Sequence, residues 1–215
     1  MNRPVSSRVS RAALLAGGLI AVGLLPAASS RQMLPLDLSD ASVAFTLDTT
    51  FHEVHGSMAV RESDIRFDPT TREISGRVVV DATTASTENK RRDRKMHNQV
   101  LESDTYPDIV FHPTAFEGTL APGESRIELI GTMEIHGASH EVRMPAEVLV
   151  SGDSIAGTAT LTVPYVEWGM KDPSVLMFKA SKEVVIELEF RGSVESHGLA
   201  WLAPEPVAGV ASNQR

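Results

Sequence analysis

Apolar residues fall on every second position through most of the chain from Ser42 to Gly192, the period of a strand with one face buried. Ser42 to Leu47 sets Val43, Phe45 and Leu47 on one face, after a polar, proline-containing lead-in from Gln32 to Asp40 and before a turn at Asp48-Thr49-Thr50. In the next run Val54, Met58 and Val60 share one parity while Ile65 and Phe67 share the other, so a bulge or break is expected near Glu62-Ser63. Val78, Val79 and Val80 mark a third strand from Gly76 to Asp81, and Ile109 to Phe116 a fourth that ends at Gly118. Ile127, Leu129, Met133 and Ile135 then alternate cleanly with Glu128, Thr132, Glu134 and His136. Turns at His136-Gly137-Ala138 and Ser151-Gly152-Asp153 lead into strands bearing Val142, Met144, Val148 and Val150, then Ile155, Ala159, Leu161 and Val163. A last strand has Val184, Ile186, Leu188 and Phe190 inward with Glu187 and Glu189 outward.

Two stretches interrupt the alternation. After a short Thr/Ser-rich turn, Lys90-Arg91-Arg92-Asp93-Arg94-Lys95 puts five cations in six residues. Asn89 is suited to cap a helix there, and Met96 and Val100, four apart, give two helical turns one apolar stripe. Tyr106-Pro107-Asp108 forces the chain extended again. The second interruption, Tyr165 to Pro173, mixes aromatics, a glycine and a proline and reads as a loop folded over one end of the sheet.

The pattern predicts an all-β, up-and-down antiparallel meander of about eight strands with one inserted short helix. A closed barrel is favoured over a sandwich, because closure removes the edges that a long meander would expose. A barrel of this size holds packed side chains or one elongated ligand, and the sequence is consistent with either. There is no internal repeat.

Arg92-Asp93, Tyr106-Pro107-x-Ile109-x-Phe111 and the earlier Phe67-Asp68-Pro69 resemble the YceI-like family of periplasmic lipid-binding proteins, over roughly Ser42 to Gly192. The resemblance implies a lipocalin-like barrel whose interior takes an isoprenoid or other long-chain lipid. Members often carry a histidine near the position of Asp48-Thr49-Thr50, where this chain has none.

The ends of the chain read differently. Residues 1–30 hold Arg3, Arg8 and Arg11 and no acid, then the apolar run Ala12 to Leu25, then Pro26-Ala27-Ala28-Ser29-Ser30. That order is a secretory signal peptide, and the run is shorter than the ~20 residues a membrane-spanning helix needs. Cleavage is expected between Ala28 and Arg31. Residues 31–193 form the barrel domain, and 194–215, rich in Ala, Pro, Gly and Ser, a flexible tail in which Trp201-Leu202 is able to dock back. The whole chain has a net charge of −8; without residues 1–30 it keeps 17 Lys and Arg against 28 Asp and Glu, a net −11. Such a field disfavours binding of nucleic acid or of an anionic membrane through the general charge, and no stable membrane insertion is expected; the cations at 90–95 stand out against it. With no cysteine, an exported chain relies on packing and strand pairing in place of disulfides.

The candidate chemistry is sparse. Seven histidines invite a metal, but no pair has HxH or HExxH spacing, and His52 and His55 have opposite parity, so no metal and no cofactor is expected. GxSxG and cysteine nucleophiles are absent; Asp93 and His97, four apart, have the spacing of an acid-base pair, though such a pair is more often an ordinary surface contact. The expectation is a binding protein without catalysis. The methionines, Met133 among them, serve as plain core or as an adaptable lining. Parity nominates Phe45, Phe67, Phe111, Met133, Trp168, Met170 and Phe178 for the lumen or mouth. Arg91 and Arg92 are nominated for an anionic head group, since a guanidinium pairs bidentately with phosphate or carboxylate. The predicted role is an exported, periplasmic or secreted carrier of a polyisoprenoid or fatty-chain lipid, with a homodimer left open. The alternatives are an enzyme or stress-related scaffold acting at the basic mouth, and a structural barrel with a filled core.

Overall fold

A computed structural model of the chain describes residues 33–194; residues 1–30, expected as a signal peptide, and the expected tail beyond Val194 lie outside the described residues. Eight strands run in chain order as β1 (Leu34–Asp48), β2 (Glu53–Asp68), β3 (Glu73–Ser86), β4 (Asp108–Gly118), β5 (Gly123–Ile135), β6 (Ala138–Ser151), β7 (Ser154–Val163) and β8 (Val184–Val194). Each pairs antiparallel with its neighbour in sequence, and β1 pairs with β8 to close the barrel. The up-and-down barrel with one inserted helical segment is therefore the fold of this chain. That segment comprises α1 (Lys90–Lys95) and a continuing π-helical stretch, Met96–Leu101, between β3 and β4.

The strands are longer than the alternation alone suggests, because bulges reset the parity. β1 begins at Leu34 within the expected lead-in, and its pairing with β8 shifts between Asp37 and Asp40. The break expected near Glu62-Ser63 is a shift between Val60 and Glu62 in the pairing of β2 with β3, and it brings Ile65 and Phe67 onto the buried face with Val54 and Met58. β3 also runs on through the expected Thr/Ser-rich turn. A second shift, between Ser57 and Ala59, leaves the Ala59 N–H to donate to Thr84 Oγ1 at 2.8 Å, so a side chain replaces the missing ladder acceptor. The β5–β6 hairpin turns on His136 and Gly137, both with positive φ, the two-residue turn whose twist matches that of the strands.

Inward side chains form two clusters, one toward each end of the barrel. One contains Leu34, Phe67, Phe116, Leu120, Val150 and Ile155; the other contains Phe45, Met58, Phe111, Met133, Met144 and Met170. Half-buried Leu129 and Leu188 pack against both. Val194 at the end of β8 is buried in the first cluster and donates its N–H to Asp153 O at 2.9 Å, so the strand continues to the last described residue.

Candidate functional site

The second cluster does not fill its end of the barrel. A cavity of about 590 Å³ remains, bounded by the barrel wall, the helical segment and the connection between β7 and β8. The volume is that of a small-molecule site, well above a packing void. Wall residues come from strands on all sides: Phe45 and Leu47 of β1, Val54 and Met58 of β2, Ile109 and Ile135 opposite, and Val184 and Ile186 of β8. The inward residues of β8 from Val184 to Phe190 are only half-buried, in contrast to the buried Val142, Met144, Ala146, Val148 and Val150 of β6. Their alternation is sound; Val184 and Ile186 face the cavity instead of partners.

Gly56 helps to shape this wall. It sits opposite Phe45 in the β1–β2 register, and a Cβ at Gly56 would lie 2.2 Å from Phe45 Cζ and 2.6 Å from Ser86 O. The absent side chain lets the Phe45 ring lie flat across β2.

The helical segment forms the lid. Asn89 caps α1, its side chain accepting from the N–H groups of Arg91 and Arg92 at 3.2 Å each, and the wider π winding turns Met96, Val100 and Leu101 toward the cavity. The expected apolar stripe thus faces inward. Buried Thr87 anchors the lid: its N–H donates to Asp93 Oδ1 at 2.9 Å, its hydroxyl donates to the same oxygen, and Ser86 Oγ donates to Asp93 Oδ2 at 3.2 Å. Burial opposes ionisation of Asp93, but the hydrogen bonds from Thr87 and Ser86, with the Arg92 charge, hold its carboxyl below the usual carboxylate range. Arg92 donates from Nε to Thr87 Oγ1 at 2.7 Å and from Nη2 to Thr87 O at 3.0 Å. Asp93 and His97 are not paired. His97 bonds Ser103 Oγ at 2.8 Å and Ala85 O at 2.9 Å, and because a carbonyl only accepts, Nε2 carries the proton.

The loop after β7 closes the other side, as its composition suggests. Tyr165 lines the cavity and donates its hydroxyl to Ser181 O at 2.7 Å. Burial, with the Asp172 charge, pushes the phenol up to about 12, so it remains a neutral donor at ordinary pH. Lys95 donates to the Pro173 carbonyl, tying the lid to this loop.

Four cations line the cavity, Arg91, Arg92, Lys95 and Lys179, and no Asp or Glu is among its lining residues. Arg91 is exposed and makes no side-chain hydrogen bond or ion pair among the described residues. His52 and Thr49 complete the rim at the β1–β2 turn. Of the residues nominated from sequence, Phe45, Met170, Phe178, Arg91 and Arg92 line this cavity. Phe111 and Met133 face each other across β4 and β5 and are buried in the same cluster without reaching the open space. Trp168 stacks on His140, ring centroids 3.9 Å apart, beside that cluster and off the cavity. Phe67 belongs to the opposite cluster, because a bulged sixteen-residue strand carries its far end to the other end of the barrel. Lys95, from the basic run at 90–95, also lines the cavity, and so do Leu47, His52, Tyr165 and Lys179, of which only Leu47 carries a sequence signal, its inward parity. Among the described residues no group of three or more His, Cys, Asp or Glu side chains is arranged to hold a metal ion, and no helix is long and apolar enough to cross a membrane.

Fold and cavity together define a lipocalin-like class of protein, a closed antiparallel barrel with an apolar interior space at one end. Within that class, the YceI-like domain matches residues 35–191, and the chain belongs to the YceI-like family. No curated protein matches the chain. Among solved structures it is similar to BcnA of Burkholderia cenocepacia, 16% identical with a TM-score of 0.60, covering 73% of this chain and 98% of that one. It is also similar to a polyisoprenoid binding domain from Saccharophagus degradans implicated in plant cell wall breakdown, 14% identical with a TM-score of 0.56, covering 75% of this chain and 98% of that one. At such identities the likeness establishes the fold alone.

Proposed function

We propose that the chain is an exported, non-catalytic carrier or sequestering protein for a polyisoprenoid or other long-chain amphiphile with an anionic head. The observation that carries this reading is an apolar cavity of about 590 Å³ lined by four cations and no carboxylate in a protein of net charge −8. Transfer of a hydrocarbon chain from water is favoured by about 0.8 kcal/mol per buried CH₂, so the wall supplies affinity and the cations supply orientation and selectivity. Phe45, Met170 and Phe178 would contact the tail and Arg91 the head. Arg92 would do so with the part of its guanidinium not engaged by Thr87, while Phe111 and Met133 support the wall from behind. The ligand named for the Saccharophagus degradans domain, a polyisoprenoid, supports the same chemistry.

Binding is favoured over catalysis because no carboxylate lines the cavity and the Thr87 hydroxyl there is engaged with Asp93 and Arg92. Residues 1–30 are assigned to export into the periplasm or beyond, the chain from 31 through Val194, the end of β8, to the barrel, and the residues beyond it to a tail. Mass spectrometry of an organic extract of purified protein tests the reading: a prenyl phosphate, prenyl lipid or fatty acid is expected near one per chain. A well-folded protein that yields none, and takes up no fluorescent fatty acid, would leave the cavity without this role. Ligand recovered chemically altered after incubation would instead favour the enzymatic alternative.

A further inference from the structure

Exposed apolar surface is concentrated at one place on this molecule. Of seven large hydrophobic residues exposed among the described residues, five lie together beside the cavity mouth: Leu176 at 93%, Met177 at 77%, Phe178 at 64%, Phe51 at 63% and Val175 at 54%. Residues 175–178 form a two-residue hairpin, with the N–H groups of Val175 and Phe178 donating to each other's carbonyls at 3.0 and 2.9 Å. The hairpin is held at a fixed place. Thr50 N–H donates to Lys179 O at 2.9 Å, Lys179 N–H donates to Thr50 Oγ1 at 3.0 Å, and the Phe51 ring meets Phe178 edge-on with centroids 5.3 Å apart.

The tip residue is placed against its own preferences. Leu176 has φ of 49°, at the first position of a turn where glycine is the ordinary choice, and its side chain gains no burial in return. Backbone strain combined with nearly full apolar exposure is what remains when the partner of a docking element is absent. The surroundings specify that partner's charge. Lys171, Lys179 and Lys182 lie in the same connection and are balanced there by Glu167, Asp172 and Glu183; the excess of positive charge comes from the lid, where Arg91 and Lys95 line the cavity with Lys179 and no carboxylate joins them. Asp172 accepts from the Ser174 N–H at 2.8 Å, which with Lys182 and Lys179 holds its carboxyl below the usual range and keeps it charged.

We propose that this hairpin, with Phe51, is a membrane-docking tip that inserts into the headgroup region of an anionic bilayer and sets the cavity mouth against it. The proposal rests on the amphiphile-carrier reading, which gives docking its purpose, and extends it by stating how cargo is collected or delivered. A bilayer is favoured over a protein because the feature is a narrow protrusion of five side chains. A stable protein interface needs a broad complementary face, whereas a bilayer accepts apolar side chains of any shape below a cationic collar. Val175 and Phe178 belong both to the exposed tip and to the cavity lining, so a lipid tail would pass from membrane to barrel along a continuous apolar path.

The test uses purified protein, as the cell processes it, with vesicles of phosphatidylcholine alone or with phosphatidylglycerol added. Wild type is expected to cosediment with the anionic vesicles, and Leu176→Asp with Met177→Asp to lose about tenfold in that binding. Neither residue lines the cavity, so the double variant should melt as wild type does and take up monomeric fluorescent fatty acid with unchanged affinity, while its transfer of that lipid out of vesicles slows. Lys171→Glu with Lys182→Glu should lower the preference for phosphatidylglycerol. Wild type that loads monomeric lipid yet ignores both kinds of vesicle would overturn the docking proposal and leave the carrier reading standing. Wild type that binds vesicles through the tip but loads no lipid would sink the carrier reading and retain the docking surface. A dimer in solution that the Asp substitutions dissociate, with no vesicle binding, would make the tip a contact between copies and refute the membrane assignment.

Discussion

The two ends of the barrel are built from the same alternation and finish differently. At one end Leu34, Phe67, Phe116, Leu120 and Ile155 meet across the interior and are all buried. At the other, Val184 and Ile186 point inward and remain half-buried, because what lies over them is an amphipathic lid and a loop held off by a cavity. Strand periodicity decides which residues face in; the covering segments decide whether those residues meet side chains or space. The filled end stabilises the barrel, and the incomplete end is where a ligand has room.

The largest effect that would test this contrast comes from truncating the filled end. Phe67→Ala should cost about 3–5 kcal/mol, since it removes a ring buried on all sides. Ile186→Ala, on the cavity wall, should cost about 1 kcal/mol because part of its surface already lacks partners. Chemical denaturation of both variants measures the difference. Equal losses would mean that the cavity wall is packed as tightly as the closed end and that the contrast is wrong.

Overfilling provides the converse. In Gly56→Val the new side chain collides with Phe45 and with the Ser86 carbonyl, and the ring has open room only on the cavity side. A stability loss of about 1–3 kcal/mol is expected, together with loss of uptake of long-chain fluorescent lipid. Retained uptake would show that the Phe45 ring does not set the cavity's capacity.

How far the sequence reveals this molecule follows from what period two encodes. It separates inward from outward residues, and so the barrel, its hairpins and the inserted helix are legible in Val43, Phe45 and the run from Ile127 to Ile135. It carries no coordinate along the barrel axis. Phe45 and Phe67 have the same inward character and lie at opposite ends, because Phe45 pairs with Gly56 near the start of β2 while Phe67 lies near its far end, opposite Leu34. The first half of β1 is hidden in the sequence because Pro35, Asp37 and Asp40 mask the alternation of Leu34 and Leu36. The cations of the helix were visible as a cluster, but which of them face the cavity depends on a π-helical turn that no spacing rule anticipates. Tyr165 and Lys179 reach the rim only through a loop whose path is fixed by tertiary contacts such as the Thr50–Lys179 pairing.

The lid's attachment should respond to acid. Asp93 has a folded pKa held below that of the unfolded carboxyl, so its contribution is complete above about pH 4 and disappears as the pH falls through the depressed value. Loss of its hydrogen bonds to Thr87 and Ser86 should then cost about 1 kcal/mol and loosen the open end before the closed one. Hydrogen exchange of residues 87–101 against β6, followed through that window, measures this order. Asp93→Asn should show the looser lid already at neutral pH and a flatter acid response.

The smallest change in stability should accompany an informative change in binding. Arg91 and Arg92 are adjacent on α1 and both line the cavity, yet only Arg92 is tied into the lid through Thr87. Arg91→Ala should therefore leave the melting temperature within experimental error, because an exposed cation without a partner contributes little to the folded state. Its effect on an anionic amphiphile should be a loss of a few-fold to about tenfold in affinity, larger at low salt, where the charge is less screened. Arg92→Ala should weaken binding and also lower stability by about 1 kcal/mol, since it leaves buried Thr87 short of two donors. Titrations of a fluorescent fatty acid and of its uncharged alcohol, each at low and high salt, separate the two arginines. If Arg91→Ala weakens the acid and the alcohol equally, the head group is not held by charge and the open end selects its ligand by the tail alone.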